Sequence, residues 1–290
     1  MLSKILIATD ASEASDRVLE CVKELRRVGS QEALLVHAMN VQDVGGLYAS
    51  LRRQILPKLE AQKKVLEEAG FEVNIEIPLG VPRHEINVLA LERACSLMVV
   101  GSHGASLIKD TLLGSTACSI VQSALSPILL VRVEILEENG GHRCRAACEN
   151  LFGHILFPTD FSDTAERAFQ YLEHIVRESP SAVTLLHVQD KGKIDPHLKD
   201  RLEEFNRIDA GRLERMRERL LNDGAVSVET EILYGSPAAL ILERARSNRF
   251  TLIVMGTQGR GFVIEILQGS VAHKVAHHAP LPVLFVSALR

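Results

Sequence analysis

Tryptophan is absent from the 290 residues, and aromatic side chains make up only 4% of them. So little ring surface argues against a base-stacking platform of the kind that grips single-stranded nucleic acid. An excess of positive charge is missing too: 33 Lys and Arg stand against 37 Asp and Glu, for a net charge of −4. No general basic field is left to track a phosphate backbone, so nucleic acid is not an expected partner. No apolar run approaches the roughly 18 to 20 residues that a membrane span needs, so no membrane partner is expected either. The early run Ile5-Leu6-Ile7-Ala8 is stopped by Asp10, far short of a secretory signal core. The five cysteines are odd in number and lack the spacing of a disulfide framework, which points to a reducing, cytoplasmic setting.

What is present is ordinary for a globular chain, with 46% hydrophobic and 24% charged residues. The length suggests two domains, and an internal repeat supports that division. Lys4-Ile5-Leu6-Ile7-Ala8-Thr9-Asp10 reads against His154-Ile155-Leu156-Phe157-Pro158-Thr159-Asp160, an offset of 150. The offset holds at Leu35-Val36-His37-Ala38 against Leu185-Leu186-His187-Val188. It grows to 155 by Gly80-Val81-Pro82 against Gly235-Ser236-Pro237, and stays there to Pro127 and Pro282. About five extra residues therefore enter the second copy, most of them around its second helix. The expected division is 1–133, a linker over 134–151, and 152–290.

Within the first copy, apolar runs of strand type fall near 4–8, 33–38, 72–77, 97–101 and 127–132. Stretches with helical period separate them near 13–28, 51–69, 83–95 and 115–124. Asp10 or Ser12 suits the cap of the first helix, as Ser162 and Asp163 do in the second copy. Gly70 and Gly224 sit where the second helix should stop, and Pro82 and Pro237 suit the first turn of the third. The strands read as continuously apolar (Leu97-Met98-Val99-Val100), as strands buried on both faces do. The expected fold is α/β: two Rossmann-like domains, each a five-stranded parallel sheet with helices on both faces. The segment from Glu134 has linker composition, with a short helix expected after it.

The chemistry is concentrated after the fourth strand. Gly101-Ser102-His103-Gly104 is followed by nine residues and then Gly114-Ser115. Gly256-Thr257-Gln258-Gly259 is followed by nine residues and then Gly269-Ser270. Glycine permits positive φ and close backbone approach, so several N–H groups can converge on one anion. A helix N-terminus at the third glycine adds donors and a favourable dipole. A lone glycine pair after a strand is usually just a tight turn. Here the whole spacing recurs in two copies that have diverged at most other positions, and the expectation is an anion site. It is not a Walker A loop, because no Gly-Lys-Ser/Thr follows.

With the strand-terminal Thr-Asp and the closing strands Pro-Ile-Leu-Leu-Val and Pro-Val-Leu-Phe-Val, these motifs resemble a tandem universal stress protein of the ATP-binding branch. The resemblance covers about residues 1–133 and 152–290 and implies adenine nucleotide-binding domains of the alpha hydrolase-like kind. It implies ATP, ADP or AMP as ligand, with Asp10 and Asp160 near ribose, phosphates and an accompanying Mg. Ala38 and Val188 would meet the adenine. The implied contacts in copy one are Ala8, Thr9, Asp10, Ala38, Gly101, His103, Gly104, Gly114, Ser115 and Thr116. In copy two they are Pro158, Thr159, Asp160, Val188, Gly256, Gln258, Gly259, Arg260, Gly269, Ser270 and Val271. Copy one departs from the family at Ala105, where Arg260 keeps the family's Arg. Asp110 and Glu265 stand where family loops often carry a second basic residue, so unequal grip on the phosphates is expected.

The resemblance also implies an internal pseudo-dimer pairing Ile128–Val131 with Val283–Val286, and a homodimer is compatible with it. Asp10 and Asp160 equally suit helix capping, and His37 and His187 read as satisfied strand-end histidines. His142, Cys144 and Cys148 in the linker lack enough ligands in one segment to make a metal site. His273, His277 and His278 read as a solvated helix face. Three functions follow: a nucleotide-binding regulatory module in stress response, a slow ATPase or phosphoryl or nucleotidyl transferase, or a scaffold with vestigial sites. No general base with a matched partner is evident, which favours the first.

Overall fold

The computed structural model describes residues 1–40, 47–104, 113–138, 141–146, 148, 150–195, 201–247, 249–258 and 269–287. The chain divides into two compact units, Met1–Glu149 and Asn150–Arg290. The first unit contains β1 (Lys4–Ala8), α1 (Glu13–Glu24), β2 (Glu32–Val36), α2 (Tyr48–Glu68), β3 (Glu72–Glu76), α3 (Pro82–Glu92), β4 (Leu97–Gly101), α4 (Ser115–Ser123) and β5 (Ile128–Val131). Its strands run parallel in the order β3-β2-β1-β4-β5. β1, β2, β4 and β5 bury apolar residues on both faces, with Ile5, Leu6, Leu35, Leu97, Met98 and Leu130 nearly inaccessible, whereas the edge strand β3 buries only Val73. Right-handed crossovers place helices on opposite faces when the strand order reverses direction. Accordingly α1 contacts α2, and α3 contacts α4.

A different element follows. β6 (Val133–Glu138) and β7 (Gly141–Ala146) pair antiparallel, so a hairpin stands where a linker with a short helix was expected. The hairpin belongs to the first unit and packs on α1, where the Cys144 backbone N–H donates to Glu13 at 3.1 Å. Cys148 does not share a helical face with Cys144. It is joined in a disulfide to Cys21 of α1, with the Cα atoms 5.1 Å apart, a spacing that suits such a bond.

The second unit repeats the pattern with β8 (His154–Thr159), α5 (Asp163–Glu178), β9 (Ala182–Asp190), α6 (Lys191–Ile194), α7 (Leu202–Asn222), β10 (Ser227–Gly235), α8 (Pro237–Ala245), β11 (Leu252–Gly256), α9 (Ser270–His278) and β12 (Val283–Val286). Its parallel order is β10-β9-β8-β11-β12. The extra residues enter between β9 and α7. α2 and α7 end alike: Gly70 and Gly224 take φ of 91° and 100°, and Phe71 and Ala225 donate back to Leu66 and Leu220. Only glycine adopts this left-handed cap without steric cost. No helix among the described residues is long and apolar enough to cross a membrane.

Phe157 is fully buried in the second core, edge-on to Phe169 with ring centroids 5.5 Å apart. Phe157→Ala is expected to remove about 3–5 kcal/mol of stability, measured as a lowered urea midpoint by circular dichroism.

Candidate functional site

Both units turn from first strand to first helix by the same hydrogen-bond ladder. Thr9 Oγ1 accepts from Ala11 N–H at 3.0 Å, and Asp10 Oδ1 from Ser12 N–H at 3.1 Å. Thr159 and Asp160 do the same for Phe161 and Ser162, at 3.0 and 3.1 Å. The helix caps are therefore the serines: Ser12 accepts from Ser15 N–H and Ser162 from Ala165 N–H. Asp10 and Asp160 shape the turn from beneath, at the carboxyl ends of β1 and β8. His37 and His187 buttress it, each with Nδ1 on the carbonyl of Thr9 or Thr159, at 3.0 and 2.8 Å.

The described ends of the glycine loops lie beside these turns, where Gly101, Gly104 and Gly256 serve packing rather than unusual backbone angles. None of Gly101, Gly104, Gly114, Gly256 or Gly269 has positive φ, so of the two properties that glycine offers a loop it is close approach that these positions use. A Cβ on Gly101 would lie 2.9 Å from Val18 Cγ2 of α1, and one on Gly256 3.0–3.1 Å from Thr164 of α5. A Cβ on Gly104 would collide with the Asp10 carboxylate. Gly114 and Gly269 cap α4 and α9 in extended conformation, and their N–H groups donate to Ser102 and Thr257 carbonyls at 2.8 and 2.7 Å. Those two donors are thus spent inside the loop. Among the described residues, the N–H groups of Ser115 and Thr116 or Ser270 and Val271, in the first turn of each helix, have no partner within that helix and are the donors available to an anion.

In the second unit these parts surround a cavity of about 780 Å³ at the carboxyl ends of β8, β9 and β11. The size is within the range of small-molecule and cofactor sites. Pro158, Thr159, Asp160, Val188, Gly256, Gln258, Gly269, Ser270 and Val271 all line it. Gly259 and Arg260 lie outside the described residues, as do Ala105 and Asp110 of the first loop and Glu265 of the second. The cavity bridges the strands flanking β8 on either side, the switch point where ligands of open α/β sheets bind. In the first unit Ala8, Thr9 and Asp10 stand at the end of β1, Ala38 just beyond β2, and Gly101, His103 and Gly104 at the end of β4. Ser115 and Thr116 open α4, and His103 Nδ1 lies 3.0 Å from the Ser102 hydroxyl.

The far wall of the cavity was not anticipated. α7 contributes Phe205, Ile208, Asp209 and Arg212, and β9 contributes Gln189. Asp209 is buried and receives Gln189 Nε2 at 3.2 Å and Arg212 Nη1 at 3.4 Å, and it faces His187 Nε2 at 3.3 Å. Phe161 stacks between the His187 ring, 4.7 Å away, and the Arg212 guanidinium, 5.2 Å away. A signal existed in the sequence: Asp209 continues the apolar stripe of Leu213, Met216 and Leu220, the one carboxylate on the buried face of α7.

The remaining candidates form no centre. Among the described residues, no three His, Cys, Asp or Glu side chains are grouped to hold a metal. Burial, and then the Glu13 carboxylate, push the Cys144 thiol up, away from the thiolate that metal binding requires. His273 and His278 are exposed on α9, with the His273 and His277 rings 4.5 Å apart.

A doubly flanked parallel sheet with paired strand-end Thr-Asp turns and helix-capping glycines defines a Rossmann-like α/β protein of duplicated design. The universal stress protein family pattern matches residues 1–132 and 151–287, and the chain belongs to that family. A universal stress protein of Methanocaldococcus jannaschii is 30% identical over 155 residues, 46% of this chain and 96% of the relative. The YxiE universal stress protein of Bacillus subtilis is 30% identical over 148 residues, 46% of this chain and all of the relative. A universal stress protein structure from Archaeoglobus fulgidus matches with a TM-score of 0.76 and 25% identity, covering 99% of both chains. The Rossmann-like fold is thus shared over both units.

The packing assigned to the first glycine of each loop is open to measurement. Gly256→Ala is expected to cost about 1–3 kcal/mol, because the Thr164 backbone must retreat. Gly104→Ala presses only on the tip of a side chain and should cost less. Urea unfolding of the two variants beside the parent gives the comparison, and equal losses would contradict the assignment.

Proposed function

We propose that the chain is an adenine-nucleotide-binding module acting in stress response, with occupancy of its two sites as the regulatory signal. The observation that carries this reading is the second unit's cavity. It joins the Asp160 turn, Val188 and the N-terminus of α9 in one space. On this reading Ser270, Val271 and the start of α9 hold phosphates, through free helix donors and the helix dipole. Asp160, and Asp10 in the first unit, supply a carboxylate to a magnesium ion carried in on the phosphates, which needs only one or two protein ligands. The base lies toward Val188 and α7. The ligand is ATP, ADP or AMP.

Binding rather than turnover is favoured because phosphoryl transfer needs a positioned nucleophile and a charge clamp around the phosphates. Among the described residues lining the cavity, the His187–Asp209 pair is engaged with Thr159, Gln189 and Arg212 rather than held for a substrate.

Protein purified without added nucleotide, then denatured and analysed by mass spectrometry, should release ATP, ADP or AMP. Isothermal titration of stripped protein with Mg-ATP should show saturable binding. Absence of both would overturn the reading. Steady hydrolysis at about 1 per second or faster would replace the module with an enzyme.

A further inference from the structure

The second unit's cavity is lined by a side chain with an acceptor that the protein leaves unsatisfied. Gln189 lines the cavity and is only 3% exposed. Its Nε2 donates to Asp209, and its Oε1 has no hydrogen-bond partner. Which end of the amide faces Asp209 is fixed by chemistry, because a carboxylate only accepts. Asp209 is itself held from other sides, by Arg212 Nη1 and beside His187 Nε2, so the amide cannot reverse without facing oxygen to oxygen. A buried acceptor left without a partner costs about 1–3 kcal/mol, and native folds seldom keep one without a use.

The first unit shows the contrast. At the position matching Gln189 by the 150-residue offset stands Met39, and Ile55 of α2 aligns with Asp209 of α7. Among its described residues that unit buries two amides: Asn87, whose ends meet Arg83, Ser123 and Leu125, and Gln62, which is likewise satisfied at both ends. Its Oε1 accepts from Thr9 Oγ1 at 2.9 Å, and its Nε2 donates to Asp16 at 2.6 Å and Ser15 at 3.2 Å. Among the described residues, a buried amide with its nitrogen anchored and its oxygen unmet is therefore particular to the second unit's cavity.

Resting on the nucleotide reading above, we infer that Gln189, oriented by Asp209, selects the base in the second site. Its Oε1 accepts a hydrogen bond from the 6-amino group of a purine and rejects a 6-oxo purine, whose oxygen would meet it acceptor to acceptor. Gln189 is the specificity-determining contact, and Asp209 is a positioning residue acting through it. The site so built takes adenine nucleotides over hypoxanthine and guanine nucleotides, whereas the first site lacks this filter.

The chain has no tryptophan, so Ile208→Trp, at a half-exposed position on the cavity wall, reports on the second site alone by fluorescence. In the full-length I208W protein, ATP should bind at least about tenfold tighter than ITP, the worth of one buried hydrogen bond and its mismatch. Gln189→Met, which imports the first unit's residue, should weaken ATP about tenfold, leave ITP nearly unchanged and so erase the ratio. Asp209→Asn can turn its own amide nitrogen toward Gln189, allowing that side chain to reverse, and should move the preference toward ITP. Unchanged ITP affinity in Gln189→Met doubles as proof of folding. An ATP-to-ITP ratio near one in I208W, or a ratio that survives Gln189→Met, overturns this inference while leaving nucleotide binding intact. If neither nucleotide binds by fluorescence or by calorimetry of the unsubstituted chain, the nucleotide reading itself falls.

Discussion

Everything at the strand ends depends on one short ladder of hydrogen bonds, the turn from first strand to first helix. In four residues the chain must leave an extended conformation, reverse and start a helix. It does so through a residue in left-handed conformation that is not glycine: Ala11 at φ 55° and Phe161 at φ 58°. Each costs about 1–2 kcal/mol for a side chain with a Cβ. The cost is offset locally, because the hydroxyl of Thr9 or Thr159 accepts the N–H of that same residue. The following carboxylate and serine then take the next free donors. The result is a helix that begins close over the sheet and a carboxylate held at its edge. The close approach is also what forbids a Cβ at Gly101 and Gly256.

From this shared frame the two units diverge through a single helix. In α2 and α7 alike, one polar side chain replaces an apolar one on the buried stripe. In α2 it is Gln62, which closes its hydrogen bonds onto Thr9 and α1. In α7 it is Asp209, about two turns nearer the N-terminus, which gathers His187, Gln189 and Arg212 at the cavity wall. Identical turns thus support an inward-facing lock in one unit and a polar wall in the other. This difference is separate from the asymmetry expected at Arg260 and Ala105, which lie outside the described residues.

The parts of this architecture that could be read from sequence are those set by local pattern. Buried parallel strands are continuous apolar runs, so β1 and β4 fall where Lys4–Ala8 and Leu97–Gly101 suggested. Gly70 and Gly224 marked helix ends because only glycine suits that cap. The hairpin after β5 was misread, although Asn139-Gly140 between two short runs is a strong hairpin signal. Its acidic composition on the β6 side concealed it. The Cys21–Cys148 pair could not be read, since 127 residues separate partners that only the fold brings together. The cavity wall was missed for the same reason: Gln189 and Asp209 lie on different elements, and neither belongs to a motif. Left-handed Ala11 and Phe161 were equally hidden, because their angles are imposed by neighbours rather than by their own side chains.

The polar wall has an energetic implication of its own. A buried carboxylate with charged and amide partners is seldom more stable than a well-packed apolar substitute, since desolvation consumes most of the attraction. Leucine at position 209, with an apolar residue at 189, would extend the stripe of Leu213 and Leu220 and dispense with burying a carboxylate and an amide. The fold instead keeps an acceptor that its own donors do not satisfy, in a wall facing a cavity large enough for a small molecule. Such a wall is a net cost to the empty domain and a gain only when something bearing a donor enters. Stability and recognition therefore pull against each other at this helix. The first unit resolved the conflict toward stability by closing Gln62 onto Thr9, and the second toward recognition by leaving Gln189 half-satisfied.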